Sequence, residues 1–204
     1  MTLKEFVKKF DVPDSIVLLE GKRQDLKEDE LKLTALGKLL SERTKHILFR
    51  SGNADGSDYL FSKGVALVDD KRLQVITPYT GHKQKTNLAY ETISLDEIVT
   101  SLDPEVVYES KKNKKTENMI EPYIDKKINN GGKKDFTVSA AYIIRDTVKV
   151  IGNKNNEVKP SAFGIFYDDL KSPMTGGTGH TMKVCDNYNV PKINQTVWFK
   201  WLEE

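Results

Sequence analysis

The turn at residues 175–181, with the sequence TGGTGHT, is the segment best suited to bind an anion. Adjacent glycines let a backbone approach a ligand closely, and a helix that begins there offers free N–H groups and the positive end of its dipole. Hydroxyl and imidazole groups can add hydrogen bonds to a phosphate or a base. The alternative is a glycine-rich turn without a ligand. The candidate ligand-binding residues here are Gly176, Gly177, Thr178, Gly179, His180 and Thr181.

A second polar loop, SGNADGSD at residues 51–58, carries two carboxylates that would repel a phosphate. Carboxylates accept hydrogen bonds from vicinal hydroxyls, so a ribose is a chemically suitable ligand for this loop. The alternative is structural, with Asp55 as the N-cap of the next helix and Asp58 in its first turn. Both interpretations stay open. The candidate ligand-binding residues of this loop are Ser51, Gly52, Asn53, Asp55 and Asp58.

Two arginines are candidate phosphate ligands. Arg23 follows Gly21 in the turn after the first predicted strand, where a guanidinium can hold a phosphate through two hydrogen bonds. A solvated turn charge is the alternative. Arg145 precedes Asp146 on a predicted helix, and an ion pair that holds this helix is favoured over ligand contact. We therefore place Arg145 second to Arg23.

The elements that position these residues alternate between strands and helices. Such alternation predicts an α/β fold with a doubly wound, mostly parallel, five-stranded Rossmann-like sheet and helices on both faces. With strand order 3-2-1-4-5, the three loops meet at the carboxyl ends of the strands, where ligands bind in such folds. The predicted strands cover residues 15–20, 46–50, 73–77, 162–167 and 192–197.

The length of 204 residues, with 38% hydrophobic residues, predicts one domain over residues 1–204. Its composition changes at about residues 105–135, where lysines are frequent and a turn rich in asparagine and glycine occurs at 129–132. We interpret this segment as an exposed, lysine-rich insertion. Thr137 is the expected N-cap of the helix that follows it.

Composition excludes several classes of protein. The net charge of +2 gives no overall field that attracts nucleic acid or an anionic membrane, so neither is an expected partner. Cys185 is the single cysteine, the three histidines lack the spacing of metal ligands, and no motif implies a cofactor. No segment contains the ~20 apolar residues that cross a bilayer, and the N-terminus lacks a signal peptide. We expect a cytoplasmic protein.

Three segments together resemble the SLOG superfamily, which includes DprA, the LOG phosphoribohydrolases and the YspA-like proteins. They read LLEGKR, LFRSGNADGSDYLFSKGVAL and GIFYDDLKSPMTGGTGHTMKVCDNYNVPKINQTVW, and the similarity covers residues 15–79 and 137–198. YspA-like members are the most similar. The resemblance implies a Rossmann-like domain that binds a nucleotide or a nucleotide-derived small molecule.

The glycine turn departs from the LOG pattern P-G-G-x-G-T-x-x-E. Thr175 replaces the proline, His180 the threonine, and Lys183 the glutamate that assists glycosidic bond cleavage in that family. A cation at this last position argues against the same reaction. The M-x-x-R-K segment of the family is also absent, with Arg145 and Asp146 only a loose counterpart.

These observations favour binding of a nucleotide-type molecule for sensing, transport or sequestration. The alternative is an N-glycoside hydrolase with Asp55, Asp58 or His180 as the acid or base. A third option is a DprA-like nucleic-acid binder that uses the lysine-rich insertion. SLOG relatives commonly pair, and apolar residues near the C-terminus can form a subunit contact or complete the core, so we expect a homodimer or higher oligomer. These apolar residues are Val197, Trp198, Trp201 and Leu202.

Overall fold

The computed structural model describes residues 1–24, 27–129 and 138–204. Within them, six parallel strands form one sheet in the order β4-β3-β2-β1-β5-β6. The strands are β1 (Ile16–Gly21), β2 (Leu48–Ser51), β3 (Leu73–Thr77), β4 (Glu91–Ser94), β5 (Phe163–Tyr167) and β6 (Lys192–Asn194). The five predicted strands are present and their predicted order is confirmed, but the last one ends at Asn194, which caps a short helix over residues that were predicted as strand.

The prediction of five strands was wrong by one, because it missed β4. This strand pairs only with β3 at the edge of the sheet, and its first two residues, Glu91 and Thr92, are polar and exposed. A half-exposed edge strand has no continuous apolar run to mark it in a sequence. The predicted capping box that follows it, Ser94 with Glu97, is confirmed.

Helices cover both faces of the sheet. Side chains of β1 alternate between them: Val17 and Leu19 face one hydrophobic cluster, and Leu18 faces another. The helices are α1 (Leu3–Phe10), α2 (Glu30–Arg43), α3 (Ser57–Asp69), α4 (Leu95–Ile98), α5 (Pro104–Lys111), α6 (Glu117–Ile128), α7 (Val138–Ile151), α8 (Gly176–Asn187) and α9 (Gln195–Trp198). Helices α1, α2, α3 and α9 pack on the first face, and α7 and α8 on the second. No helix in the described ranges is long and apolar enough to cross a membrane.

The lysine-rich segment is not simply an exposed insertion. Its first part forms α5 and α6, which bury Val106, Ile120 and Tyr123 against α7. Several lysines form ion pairs with carboxylates: Lys111 with Glu121, Lys112 with Glu109, and Lys127 with Asp96. Residues 130–137, with Thr137 and most of the predicted turn, lie outside the described residues.

The C-terminal tryptophans belong to the core of the domain. The ring of Trp198 lies 5.8 Å from that of Phe61, and the ring of Trp201 lies 5.2 Å from that of Phe6. Both side chains are buried. Of the two roles that the sequence left open for these tryptophans, the structure shows completion of the core, and the homo-oligomer stays a prediction.

Candidate functional site

Three strands end at the crevice that the sequence predicted. Gly21 at the end of β1 pairs with Tyr167 at the end of β5, and Ser51 ends the neighbouring strand β2. The crossovers from β1 and from β5 pack on opposite faces of the sheet, so the strand order reverses between these two strands. Helix α8, which begins at Gly176, starts at this edge. The fold therefore brings the three predicted loops to one place.

Asp58 connects two of these loops. Its Oδ1 accepts a hydrogen bond from the backbone N–H of Gly21 at 3.0 Å, and its Oδ2 accepts from Gly52 and Ala54, each at 3.3 Å. The carboxylate is buried. Because both oxygens are bonded to backbone, Asp58 holds the loops in position and offers no free oxygen to a ribose. Its predicted place in the first turn of α3 is confirmed.

Asp55 lies at the surface, where its carboxylate forms an ion pair with Lys83 at 2.5 Å. The N-cap of α3 is Gly56, whose φ of +79° is readily adopted only by glycine. A side chain at Gly56 would also collide with the backbone of Arg23. The structural alternative that made Asp55 the N-cap is therefore wrong.

Two further residues of this loop face inward. Asn53 is buried with a φ of +53°, and its Nδ2 donates a hydrogen bond to the carbonyl of His82 at 3.4 Å. The hydroxyl of Ser51 is buried and has no hydrogen-bond partner among the residues that the structure describes. The loop therefore contacts the segment after β3, which the sequence did not indicate.

A network of buried charges forms the floor of the crevice. Arg145 donates two hydrogen bonds to Asp146 Oδ1, at 2.6 and 3.0 Å, and its Nη1 donates to the carbonyl of Gly52 at 2.7 Å. Lys149 lies 2.7 Å from the same Asp146 oxygen and also contacts the carboxylate of Glu20. The predicted ion pair of Arg145 is present, and it joins this larger network.

The two carboxyls beside Lys149 have opposite shifts of pKa. Burial raises the pKa of Glu20 to about 7, because the attraction of Lys149 offsets only part of the desolvation. Burial also opposes ionisation of Asp146, but Arg145 and Lys149 together hold its pKa below the ordinary value. At neutral pH, Asp146 is ionised while Glu20 is near its midpoint.

The second oxygen of Asp146 faces the glycine turn. All contacts of this carboxylate within the described ranges involve Oδ1, and Oδ2 has no partner there. A Cβ atom built on Gly177 would lie 3.3 Å from Oδ2. Gly176, with a φ of +64°, and Gly177 are exposed. The start of α8 therefore opens beside a free carboxylate oxygen.

The other residues of the turn pack inward. His180 is buried, with its Nε2 3.1 Å from the hydroxyl of Thr147, and burial lowers its pKa. Thr181 donates its hydroxyl to the carbonyl of Gly177 at 3.2 Å. A side chain at Gly179 would collide with the backbone of Met174. The contact of His180 with Thr147 joins α8 to α7, and the other two contacts lie within α8 and its preceding loop. Gly176 and Gly177, with the half-buried Thr178, are left to meet a ligand.

Aromatic side chains form a rim that sequence reasoning missed. The ring of His82 lies 4.9 Å from Tyr79 and 5.8 Å from Tyr142, and the guanidinium groups of Arg23 and Arg145 lie 5.7 and 5.1 Å from the ring of Tyr142. Burial lowers the pKa of His82 to about 4, so this ring is neutral at physiological pH. The sequence could have indicated Tyr142, because this residue lies one helical turn before Arg145 and therefore on the same face of the helix.

Comparison with known proteins supports the fold. No family model and no curated protein matches the sequence. The structure is similar to that of DNA processing protein A from Helicobacter pylori, described for its single-stranded DNA binding mode, with a TM-score of 0.51 and 16% identity over 92% of this chain and 67% of that chain. The chain therefore has a DprA-like Rossmann-type fold.

This similarity corrects one expectation from the sequence. We did not expect nucleic acid to be a partner, because the chain has almost no net charge. A protein with a similar fold binds single-stranded DNA. Net charge is therefore not a sufficient reason to exclude nucleic acid.

Proposed function

We propose that this protein binds a nucleotide at the carboxyl edge of its sheet, with a phosphate on the first N–H groups of α8. The observation that carries the proposal is the exposed pair Gly176 and Gly177 at the start of a 12-residue helix that opens into the crevice. The first N–H groups of a helix have no acceptor within the helix, and its dipole favours an anion there. Arg23, exposed on the rim, adds a cation.

The carboxylate of Asp146 beside this turn does not prevent phosphate binding. Arg145 and Lys149 both contact it, and Lys149 also contacts Glu20, so two buried cations face Asp146 and a Glu20 carboxyl whose pKa is about 7. A phosphate on the glycine turn would therefore meet a local charge that is not negative. Free N–H groups then supply the attraction.

A nucleotide phosphate can come from a free nucleotide or from a single-stranded nucleic acid. The SLOG resemblance supports a free nucleotide derivative, and the similarity to a protein that binds single-stranded DNA supports a strand. The glycosidase alternative lacks a suitable acid: Asp58 is bonded to backbone, Asp55 is paired with Lys83, and His180 is buried against Thr147. We therefore propose binding without cleavage.

The test compares ligands that differ only in the phosphate. Calorimetric titration should show that AMP binds more than about tenfold more tightly than adenosine. Gly177→Val should weaken AMP binding by more than about tenfold, because the larger side chain crowds the N–H groups, and the circular dichroism spectrum should not change. Equal affinity for AMP and adenosine, or wild-type affinity in the variant, would contradict the proposal.

A matched pair of arginines provides the control. Arg23→Gln should weaken AMP binding about threefold to tenfold, whereas Arg43→Gln, at the exposed end of α2, should have no effect. A short oligoriboadenylate, which has the same sugar and base as AMP, serves as the third ligand at the same salt concentration. Tighter binding of this strand than of AMP identifies a polynucleotide as the source of the phosphate.

A further inference from the structure

One carboxylate oxygen at the crevice has no protein partner among the described residues. Asp146 is 2% exposed, and its Oδ1 accepts hydrogen bonds from Arg145 and contacts Lys149. Its Oδ2 has no contact among the described residues. Oδ2 is not one of the enclosed atoms that lack a partner in the described part of the chain, so it is open to the crevice. A hydrogen-bond donor from outside the chain can therefore reach it, as water or as part of a ligand.

The place of this oxygen limits what the donor can be. It lies beside Gly177, at the helix terminus where we propose that a phosphate binds. An ionised carboxylate only accepts hydrogen bonds, so the ligand must donate, and a phosphate dianion cannot. The ligand group must also be covalently connected to the phosphate and small enough for the turn. A hydroxyl of a nucleotide sugar meets these conditions.

We propose that Asp146 Oδ2 accepts a hydrogen bond from a ribose hydroxyl and makes this crevice selective for ribonucleotides over their deoxy analogues. This inference rests on the proposed function. It assigns sugar recognition to Asp146, whereas the sequence suggested Asp55 and Asp58. Asp58 has no oxygen free for a ligand, and Asp55 is paired at the surface.

The surroundings of Asp146 hold it ready for this role. Arg145 fixes Oδ1 with two hydrogen bonds, and the same guanidinium is held by the carbonyl of Gly52. A Cβ atom at Gly52 would lie 2.7 Å from Arg145 Nη1, so this glycine leaves space for the arginine. Because the carboxylate is already fixed before a ligand binds, binding costs little additional side-chain entropy.

The test removes one hydroxyl at a time. Calorimetry should show that 2′-deoxy-AMP or 3′-deoxy-AMP binds at least about tenfold more weakly than AMP to the wild-type protein, as expected for a lost hydrogen bond to a charged group. In Asp146→Asn, the ratio of the affinity for AMP to the affinity for the deoxy analogue should fall below about threefold, because the charge of the acceptor is lost. Equal binding of all three nucleotides to the wild type would overturn the inference.

A second variant covers the case in which Asp146→Asn fails to fold. Gly177→Ala places a methyl group 3.3 Å from Oδ2 and leaves the ion pairs of Asp146 intact, so the ratio should also fall in this variant. Asp58→Asn is the competing substitution, and its ratio should stay at the wild-type value. The inference would be overturned if the affinity ratio fell in Asp58→Asn and kept its wild-type value in the other two variants. The sugar would then bind to the acidic loop at residues 51–58.

The design separates the two proposals. If AMP binds more tightly than adenosine while both deoxy analogues bind like AMP, the phosphate site stands and the assignment of Asp146 fails. If AMP and adenosine bind equally or not at all, the proposed function itself fails.

Discussion

Both ends of the sheet bury charged groups, but they satisfy them differently. At the amino end, Arg50 is buried beside a cleft of about 350 Å³. Its Nε donates to Gln74 Oε1 at 2.5 Å, and Gln74 Nε2 donates to Glu91 Oε2 at 2.7 Å, so an amide connects the cation to a carboxylate. At the carboxyl end, Asp146 keeps one oxygen free beside an exposed helix terminus.

This difference shows why the volume of a cleft does not by itself identify a binding site. Within the described ranges, Arg50 also has an atom without a partner, Nη2, but that atom is enclosed by protein. The free oxygen of Asp146 lies next to exposed Gly177, where a ligand can approach it. An unsatisfied group indicates a ligand only where the ligand can reach it.

The largest effect on stability is expected at the amino end. Arg50→Met leaves Gln74 Oε1 and the carbonyl of Lys159 without their donor, whereas the carbonyl of Lys149 still accepts a hydrogen bond from Ser161. With ~1–3 kcal/mol for each such group, the free energy of unfolding should fall by about 4 kcal/mol. Urea denaturation measures this change. The affinity of the folded variant for AMP should equal that of the wild type, and a loss of affinity would make the amino end part of the binding site.

A smaller effect, and one that depends on pH, is expected at the carboxyl end. The pKa of Glu20 is about 7 in the folded protein, against 4.5 as its ordinary value. The folded state therefore holds this proton more strongly, and its contribution to stability is lost as pH rises from about 4.5 to 7. The lowered pKa values of His82 and His180 act in the opposite direction, since the unfolded state binds their protons first.

The variant Glu20→Gln isolates this contribution because both histidines are still present. Between pH 4.5 and 7.5, the wild-type protein should lose about 3 kcal/mol of unfolding free energy relative to Glu20→Gln. Denaturation at a series of pH values gives the two curves. Parallel curves would mean that Glu20 does not titrate in this range.

The sheet and its loops were predictable because their signals are local. The apolar run before Glu20 and the adjacent glycines at 176 and 177 follow from properties of neighbouring residues. Strand β4 was missed because an exposed edge strand carries no such run. The sequence therefore placed the crevice correctly among the elements that it detected.

The roles of individual charges were not predictable because they depend on distant partners. Asp58 accepts a hydrogen bond from the N–H of Gly21, 37 residues away, and Arg145 donates one to the carbonyl of Gly52, 93 residues away. Sequence reasoning noted Asp146 only as the neighbour of Arg145. Its free oxygen becomes apparent only when the contacts of both oxygens are known.

The central claim is that nucleotides bind at the carboxyl end of the sheet and not in the cleft at its amino end. Titration of ¹⁵N-labelled protein with AMP, followed by amide chemical shifts, tests this directly. We predict that the largest shifts occur at Gly176 and Gly177, whose N–H groups would contact the phosphate, and that Asn156 and Val158 beside the amino-end cleft do not shift. Shifts at Asn156 and Val158, with none at the two glycines, would contradict the account.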